Sequence, residues 1–126
     1  MNPADYPYVN HMNVLYKALQ VIDVPSLADD CTDQWYNQTL CRVNGSVVRL
    51  GILQGEYHWH RHDTDDEFFF TLSGTLFIDV EGDTTAELGP NQGYVVPRGV
   101  RHKTRAPEKT IVLMVETAEI IPTGDV

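Results

Sequence analysis

Beyond its first third, the chain is cut by turn-forming residues into short extended stretches, which leaves little room for anything but a β fold. Asn44-Gly45, the dipeptide that suits a two-residue hairpin, separates residues 38–43 from residues 46–53. Further extended stretches cover 67–72, 75–81, 93–96 and 110–116, with Ser73-Gly74, Glu81-Gly82-Asp83 and Leu88-Gly89-Pro90-Asn91 between them. Before them, residues 1–10 carry Pro3 and Pro7 and read as an irregular arm. Residues 13–22 place Val14, Leu15, Ala18, Leu19 and Ile22 on one helical stripe, which predicts a short helix ended by Pro25. An acidic loop follows at 29–33. Many short strands and one small helix predict an antiparallel sandwich or barrel.

At 126 residues the chain suits one domain with one core. A formal charge of −9 argues against nucleic acid as a partner, because a phosphate backbone needs a basic face. Five of the nine basic residues, Arg98, Arg101, Lys103, Arg105 and Lys109, nevertheless share one stretch. They read either as a solvated loop or as a rim that attracts a small anion. No basic-then-apolar leader and no run of membrane-spanning length is present, so a cytoplasmic protein without a membrane partner is expected. Cys31 and Cys41 are too few for a disulfide framework and are expected to be free thiols, with pairing between them left open. Alternation along 67–72 puts Glu67, Phe69 and Thr71 on one side and Phe68, Phe70 and Leu72 on the other. The second face is too apolar to leave in water, which predicts packing against another layer or a homodimer.

Four of the five histidines fall in two short segments, His58-Trp59-His60-Arg61-His62 and the loop ending at His102. On an extended strand His58, His60 and His62 share one face, with Tyr57, Trp59 and Arg61 on the other. Imidazoles converging with a carboxylate suit a divalent transition metal, and three histidines in a row leave the register open.

His60-Arg61-His62, four residues, Glu67, six residues and Gly74 reproduce an HxH…E…G spacing, whereas the pair His58/His60 would stand six residues from Glu67. Pro97, Gly99 and His102 reproduce the PxGxxH of a second motif, GxxxxxPxGxxHxxxN. In these two blocks the chain resembles the cupin superfamily, and in particular its small single-domain members, often labelled mannose-6-phosphate-isomerase-like on similarity alone. The departures fall on turn residues. Asn91 stands at the opening Gly position, Ala106 at the closing Asn, and Gly55 lies one residue too close to His60. Asn and Gly both tolerate positive φ, so Asn91 is a mild exchange.

The resemblance implies an all-β fold, a small antiparallel β-barrel of the cupin or jelly-roll type with a short N-terminal helix. One cupin domain would span 1–126, with arm and helix at 1–35, barrel at 36–118 and tail at 119–126. It implies His60, His62, Glu67 and His102 as ligands of one divalent ion (Fe, Mn, Zn, Ni, Co or Cu). Three neutral imidazoles and one carboxylate would leave two adjacent positions open on an octahedral ion. Glu56 and His58 share the inward face if no bulge intervenes at Gly55, and either is a candidate acid or base. Phe69 and Thr104 alternate in phase with the ligands and are expected pocket walls. Asp63, Asp65 and Asp66 read as a solvated turn, and Met114 as core.

Three functions follow. The first is redox-neutral isomerase, lyase or cyclase chemistry, with the metal polarising a carbonyl of a small polar or anionic metabolite. The second is an Fe(II)-dependent dioxygenase, and the third a binder or sensor without catalysis. A metal that only staples the fold is the plain structural alternative. No GxSxG, P-loop, GxGxxG or Cys/His nucleophile pairing competes with the metal motif.

Overall fold

A computed structural model of the protein describes residues 8–82 and 84–125. In chain order the elements are β1 (Val9–His11), α1 (Val24–Asp30), β2 (Trp35–Val43), β3 (Ser46–Glu56), β4 (Glu67–Ser73), β5 (Leu76–Val80), β6 (Thr84–Leu88), β7 (Gly93–Val96) and β8 (His102–Thr117). The fold is therefore mostly strand with one short helix. The first seven residues of the expected arm lie outside the described residues.

The helix stands elsewhere than the apolar spacing predicts. Residues 13–22 are irregular, with Leu15 N and Tyr16 N donating to Thr39 O and Leu40 O at 3.1 and 2.8 Å and Leu19 at φ +69°. That stretch lies against β2 and covers its outer side. The helix begins instead at Val24, where the Asp23 carboxylate accepts from Ser26 N at 3.4 Å and Pro25 occupies the first turn. Proline ends a helix from within but opens one from its first positions, and here it opens one.

Asn44 at φ +54° and Gly45 turn β2 back onto β3 as the sequence predicts. The sheet runs β1-β2-β3-β8-β4-β7, six strands in one open path, with β5 and β6 branching from it as β5 pairs with β8 and β6 with β5. β1 and β7 end the path and β6 ends the branch, so hydrogen bonding does not close the sheet into a barrel. β8 organises the whole. It holds β3 along one edge; along the other it holds β5 through 102–105 and β4 through 111–115.

Alternation on β8 keeps one phase on both sides of the exposed residues 107–109, so His102, Thr104, Ala106, Val112, Met114 and Glu116 are all buried on one side. That side carries the inner core, including Trp35, Leu53, Tyr57, Phe69, Leu76, Ile78 and Met114. A second cluster on the other side, Leu40, Leu50 and Ile52, is covered by Tyr16, Ile22, Val24 and Ala28 from the N-terminal segment and helix. Among the described residues no helix is long and apolar enough to cross a membrane. Both cysteines are free and half-buried.

Candidate metal centre

β3 leaves its ladder through an irregularity. The pairing jumps between Leu53 and Gly55, and Gly55 adopts φ +106°. Beyond it the chain stays extended without a regular ladder. Tyr57 N donates to Thr104 O at 2.8 Å, and His60 and His102 form an isolated bridge. This bulge turns the strand over, so the expected faces are corrected. Tyr57 is buried inside the fold, while Glu56 points to solvent and pairs with Lys103 at 2.8 Å. The Lys103 hydrogen bond and charge hold the Glu56 carboxyl below the usual carboxylate range.

Four buried side chains nevertheless converge. His60 and His62 come from the loop after β3, Glu67 opens β4 and His102 opens β8. One ligand atom from each lies within 4.8 Å of all the others. Gly99 N donates to His62 O at 2.8 Å and so ties the loop before His102 to the loop before Glu67. Gly74, which closes the first motif, turns β4 toward β5 at φ +82°; there a Cβ would stand 2.5 Å from Thr110 Oγ1.

The ring nitrogens are prepared for a cation. His60 Nδ1 and His102 Nδ1 each lie 3.0 Å from a backbone carbonyl, of His58 and Val100 respectively. A carbonyl only accepts, so each Nδ1 carries the proton and each Nε2 keeps its lone pair. His102 Nε2 and both nitrogens of His62 are buried with no hydrogen-bond partner. His62 and His102 Nε2 stand 3.6 Å from Glu67 Oε1, too far for hydrogen bonds. Orphaned buried donors and acceptors are costly and need an explanation. Three imidazoles and one carboxylate answer it, because they form a nitrogen-rich donor set for a divalent transition metal.

Electrostatics support the same state. Burial and the adjacent His102 lower His60 from 6.5 to about 3, so its ring is neutral, as a ligand must be. Burial opposes ionisation of Glu67, but the Glu116 hydrogen bond and the His102 and His62 contacts outweigh it and hold the carboxyl well below its ordinary range. Burial, the Glu67 charge and that same hydrogen bond push Glu116 well above the ordinary range, against the pull of Arg49. Glu67 is thus the anion of the pair and Glu116 its supporting donor.

Beside this group lies a cavity whose wall includes His60, Glu67, Tyr57, Phe69 and Thr104. It offers about 30 Å³ to the centres of water-sized molecules, room for two or three waters at roughly 10–15 Å³ each. Phe69 and Thr104 line it, as their phase predicts. Met114 belongs to the core and also lines it. His58 does not: its Nε2 contacts Thr123 O at 2.6 Å, its Nδ1 lies 3.4 Å from Tyr8 Oη, and its ring stacks on Tyr57. Asp63 pairs with Arg61, and Asp66 accepts from Arg98 N. The basic stretch is matched residue by residue, Arg98 with Asp66, Arg101 with Glu81, Lys103 with Glu56 and Arg105 with Asp79, while Lys109 donates to Ala28 O.

Arg49, Asn37, Tyr57 and Glu116, all on the cavity wall, belong to neither motif. Period-two alternation carried a signal for two of them. Arg49 is in phase with Val47 and Leu53 on an otherwise apolar strand, and Glu116 is in phase with Val112 and Met114. Tyr57 was hidden by the bulge at Gly55.

Comparison with known proteins agrees with the fold. The family model described as a cupin domain matches residues 48–117. The protein YdbB of Bacillus subtilis (strain 168) is 37% identical over 91 residues, which span 72% of this chain and 80% of YdbB. A cupin-2 domain containing protein from Shewanella frigidimarina superposes with a TM-score of 0.72 at 29% identity, over 77% of this chain and 94% of that one. A chain from the crystal structure of the DMSP lyases RdDddP and RnDddQII shares the fold at a TM-score of 0.53 and 20% identity, over 60% of this chain and 40% of that one.

Proposed function

This chain belongs to the cupin domain family, and on that premise we propose that it is a cytoplasmic, metal-dependent enzyme performing redox-neutral chemistry on a small polar metabolite. The observation that carries the reading is the buried His60–His62–Glu67–His102 group, in which ring nitrogens of His62 and His102 have no partner and of which His60 and Glu67 line a cavity. A divalent ion held there would supply Lewis acidity toward a carbonyl oxygen or a bound water. A metal that merely stapled the fold would need no such cavity beside it.

The chain's own residues have separable tasks. The His58 and Val100 carbonyls orient the His60 and His102 rings, and Glu116 orients Glu67. Phe69, Met114 and Trp35 exclude water from the wall and so strengthen every charge interaction within it. Lyase chemistry suits this scaffold, as the DMSP lyases among its structural neighbours exemplify. The grouping with mannose-6-phosphate-isomerase-like cupins is carried in this proposal as a likeness of sequence, with no substrate attached. Two free thiols suit a reducing compartment.

The test begins with elemental analysis of protein purified without added metal. Small carbonyl compounds are then incubated with the metal-bearing protein and followed by NMR. Product that disappears with EDTA, without oxygen uptake, is expected. Oxygen consumption with Fe(II) would replace this reading by a dioxygenase. Ligand-dependent stabilisation without product would replace it by a binder.

A further inference from the structure

The cavity has a second polar end that the metal group does not use. Arg49 enters it from β3 with a side chain only 3% exposed. Its Nε donates to Thr39 Oγ1 at 3.1 Å, and its Nη1 serves Glu116 and, at 3.5 Å, Ile120 O. Nη2, with two further N–H donors, takes part in none of these bonds. Asn37, 8% exposed on β2, lines the same cavity. Its Nδ2 donates to Asn10 Oδ1 at 2.9 Å, while its Oδ1 is buried with no partner.

One wall therefore presents an unmet cationic donor and an unmet neutral acceptor within a setting that Trp35, Leu53 and Met114 make apolar. A buried acceptor such as Asn37 Oδ1 is normally satisfied. A single chemical group does not answer both. An anionic oxygen meets Arg49 Nη2, and a hydroxyl hydrogen meets Asn37 Oδ1. The size of the cavity limits the ligand to a few heavy atoms.

We propose that Arg49 and Asn37 form the recognition end of a site for a small hydroxycarboxylate, the carboxylate accepting from Arg49 Nη2 and the hydroxyl donating to Asn37 Oδ1. This deepens the metalloenzyme reading by naming its substrate class, and it rests on that reading only for the ion at the other end. Arg49 supplies affinity for the charge, because charge-assisted hydrogen bonds are the stronger kind. Asn37 supplies discrimination, because a ligand without the hydroxyl leaves its oxygen buried and unpaired.

The experiment is calorimetric titration of Zn2+-loaded, full-length protein with glycolate, acetate and ethylene glycol. Glycolate is expected to bind at least about 10-fold more tightly than either of the others, which lack the hydroxyl or the charge. Asn37→Leu should bring glycolate to the level of acetate. Arg49→Lys should weaken both acids about 10-fold or more while leaving ethylene glycol unchanged. Asn37→Leu leaves the Arg49–Glu116 pair intact, so it decides the matter if Arg49→Lys does not fold. Equal binding of the three probes, glycolate affinity unchanged in the variants, or no glycolate binding by protein that holds its metal would each overturn the proposal. Glycolate binding that the variants abolish, in a protein that takes up no metal, would uphold it and overturn the metalloenzyme reading.

Discussion

His60 and His102 exchange both of their backbone hydrogen bonds, His60 N to His102 O at 2.9 Å and His102 N to His60 O at 2.8 Å. Two imidazoles from distant motifs are therefore set side by side by main chain alone, with ring centroids 4.3 Å apart. A substitution at either position keeps this pairing, because any residue but proline supplies the same N–H and C=O. His60→Ala together with His102→Ala should abolish metal binding by elemental analysis and weaken Zn2+ affinity more than about 100-fold in chelator competition. The far-ultraviolet circular dichroism should not change. His11→Ala, remote from the group, should retain the metal.

Acid should act on the metal-free protein through His60. Its ring takes up a proton near 6.5 when unfolded, but only at about 3 when folded. Between those values the unfolded state binds more protons, so stability falls as pH falls, by about 1.4 kcal/mol per pH unit from this group. Glu116, raised when folded, has the opposite slope above its ordinary range. A comparison isolates His60. The stability difference between the EDTA-treated protein and its His60→Ala variant should shrink as pH is lowered from about 6.5 to about 3 in urea titrations. A difference independent of pH would show that the ring is not held neutral.

The metal group was legible because its signal is local spacing. Glu67 and His102 each open a strand whose alternation holds, so phase alone predicted Phe69 and Thr104 as walls. The helix was misplaced because the apolar spacing of residues 13–22 fits a helical stripe, whereas Val14, Leu15 and Leu19 stay exposed and only Tyr16 and Ile22 of this stretch pack on the core. Backbone bonds from Leu15 and Tyr16 to Thr39 and Leu40 decide against the helix, and these are tertiary. Glu56 and Tyr57 were assigned to the wrong faces because one positive φ at Gly55 turns over the side chains that directly follow it. β6 (Thr84–Leu88) was missed because its polar Thr-Thr-Ala-Glu-Leu alternates too weakly to read. The open path of the sheet is a matter of pairing among distant strands, which spacing does not encode.

Arg49 and Glu116 form a buried hydrogen-bonded pair, with side chains 3% and 1% exposed, in which Arg49 carries the charge. Removing Glu116 leaves that charge without its partner inside the fold. Glu116→Leu alone should cost about 3–5 kcal/mol in urea unfolding. Arg49→Met with Glu116→Leu should cost less than the single change, because replacing both members of a buried pair by apolar residues is often close to neutral. Strictly additive losses would show that the two side chains are not coupled.

The outer face of β4 predicts self-association. Phe68 and Phe70, with ring centroids 6.2 Å apart, are only half-buried, and Phe68 is paired across the sheet with Val95 and Val115, which are 53% and 37% exposed. Contiguous apolar surface of this kind marks an interface more often than free surface. A homodimer is the expected mass by light scattering at micromolar concentration, and Phe68→Lys with Val95→Lys should return a monomer with an unchanged fold. A monomeric parent protein would overturn the expectation.

The C-terminal segment seals the cavity, and Gly124 is where that seal can be broken. Pro122 forms part of the cavity wall, Thr123 O contacts His58, and Asp125 N donates to Arg61 O at 2.9 Å. Gly124 adopts φ +95°, and a Cβ there would stand 2.6 Å from the Cβ of His60. Gly124→Ala therefore meets a backbone penalty of roughly 1–2 kcal/mol in addition to a clash with a residue that the His102 pairing holds in place. A terminal segment relieves both by lifting off, so the loss of global stability should stay within about 2 kcal/mol. The local consequence should be larger. Hydrogen exchange at the Asp125 amide should accelerate, and acrylamide should quench the buried Trp35 more strongly as the cavity opens to solvent. Unchanged quenching alongside faster exchange would mean that the segment frays without guarding the cavity.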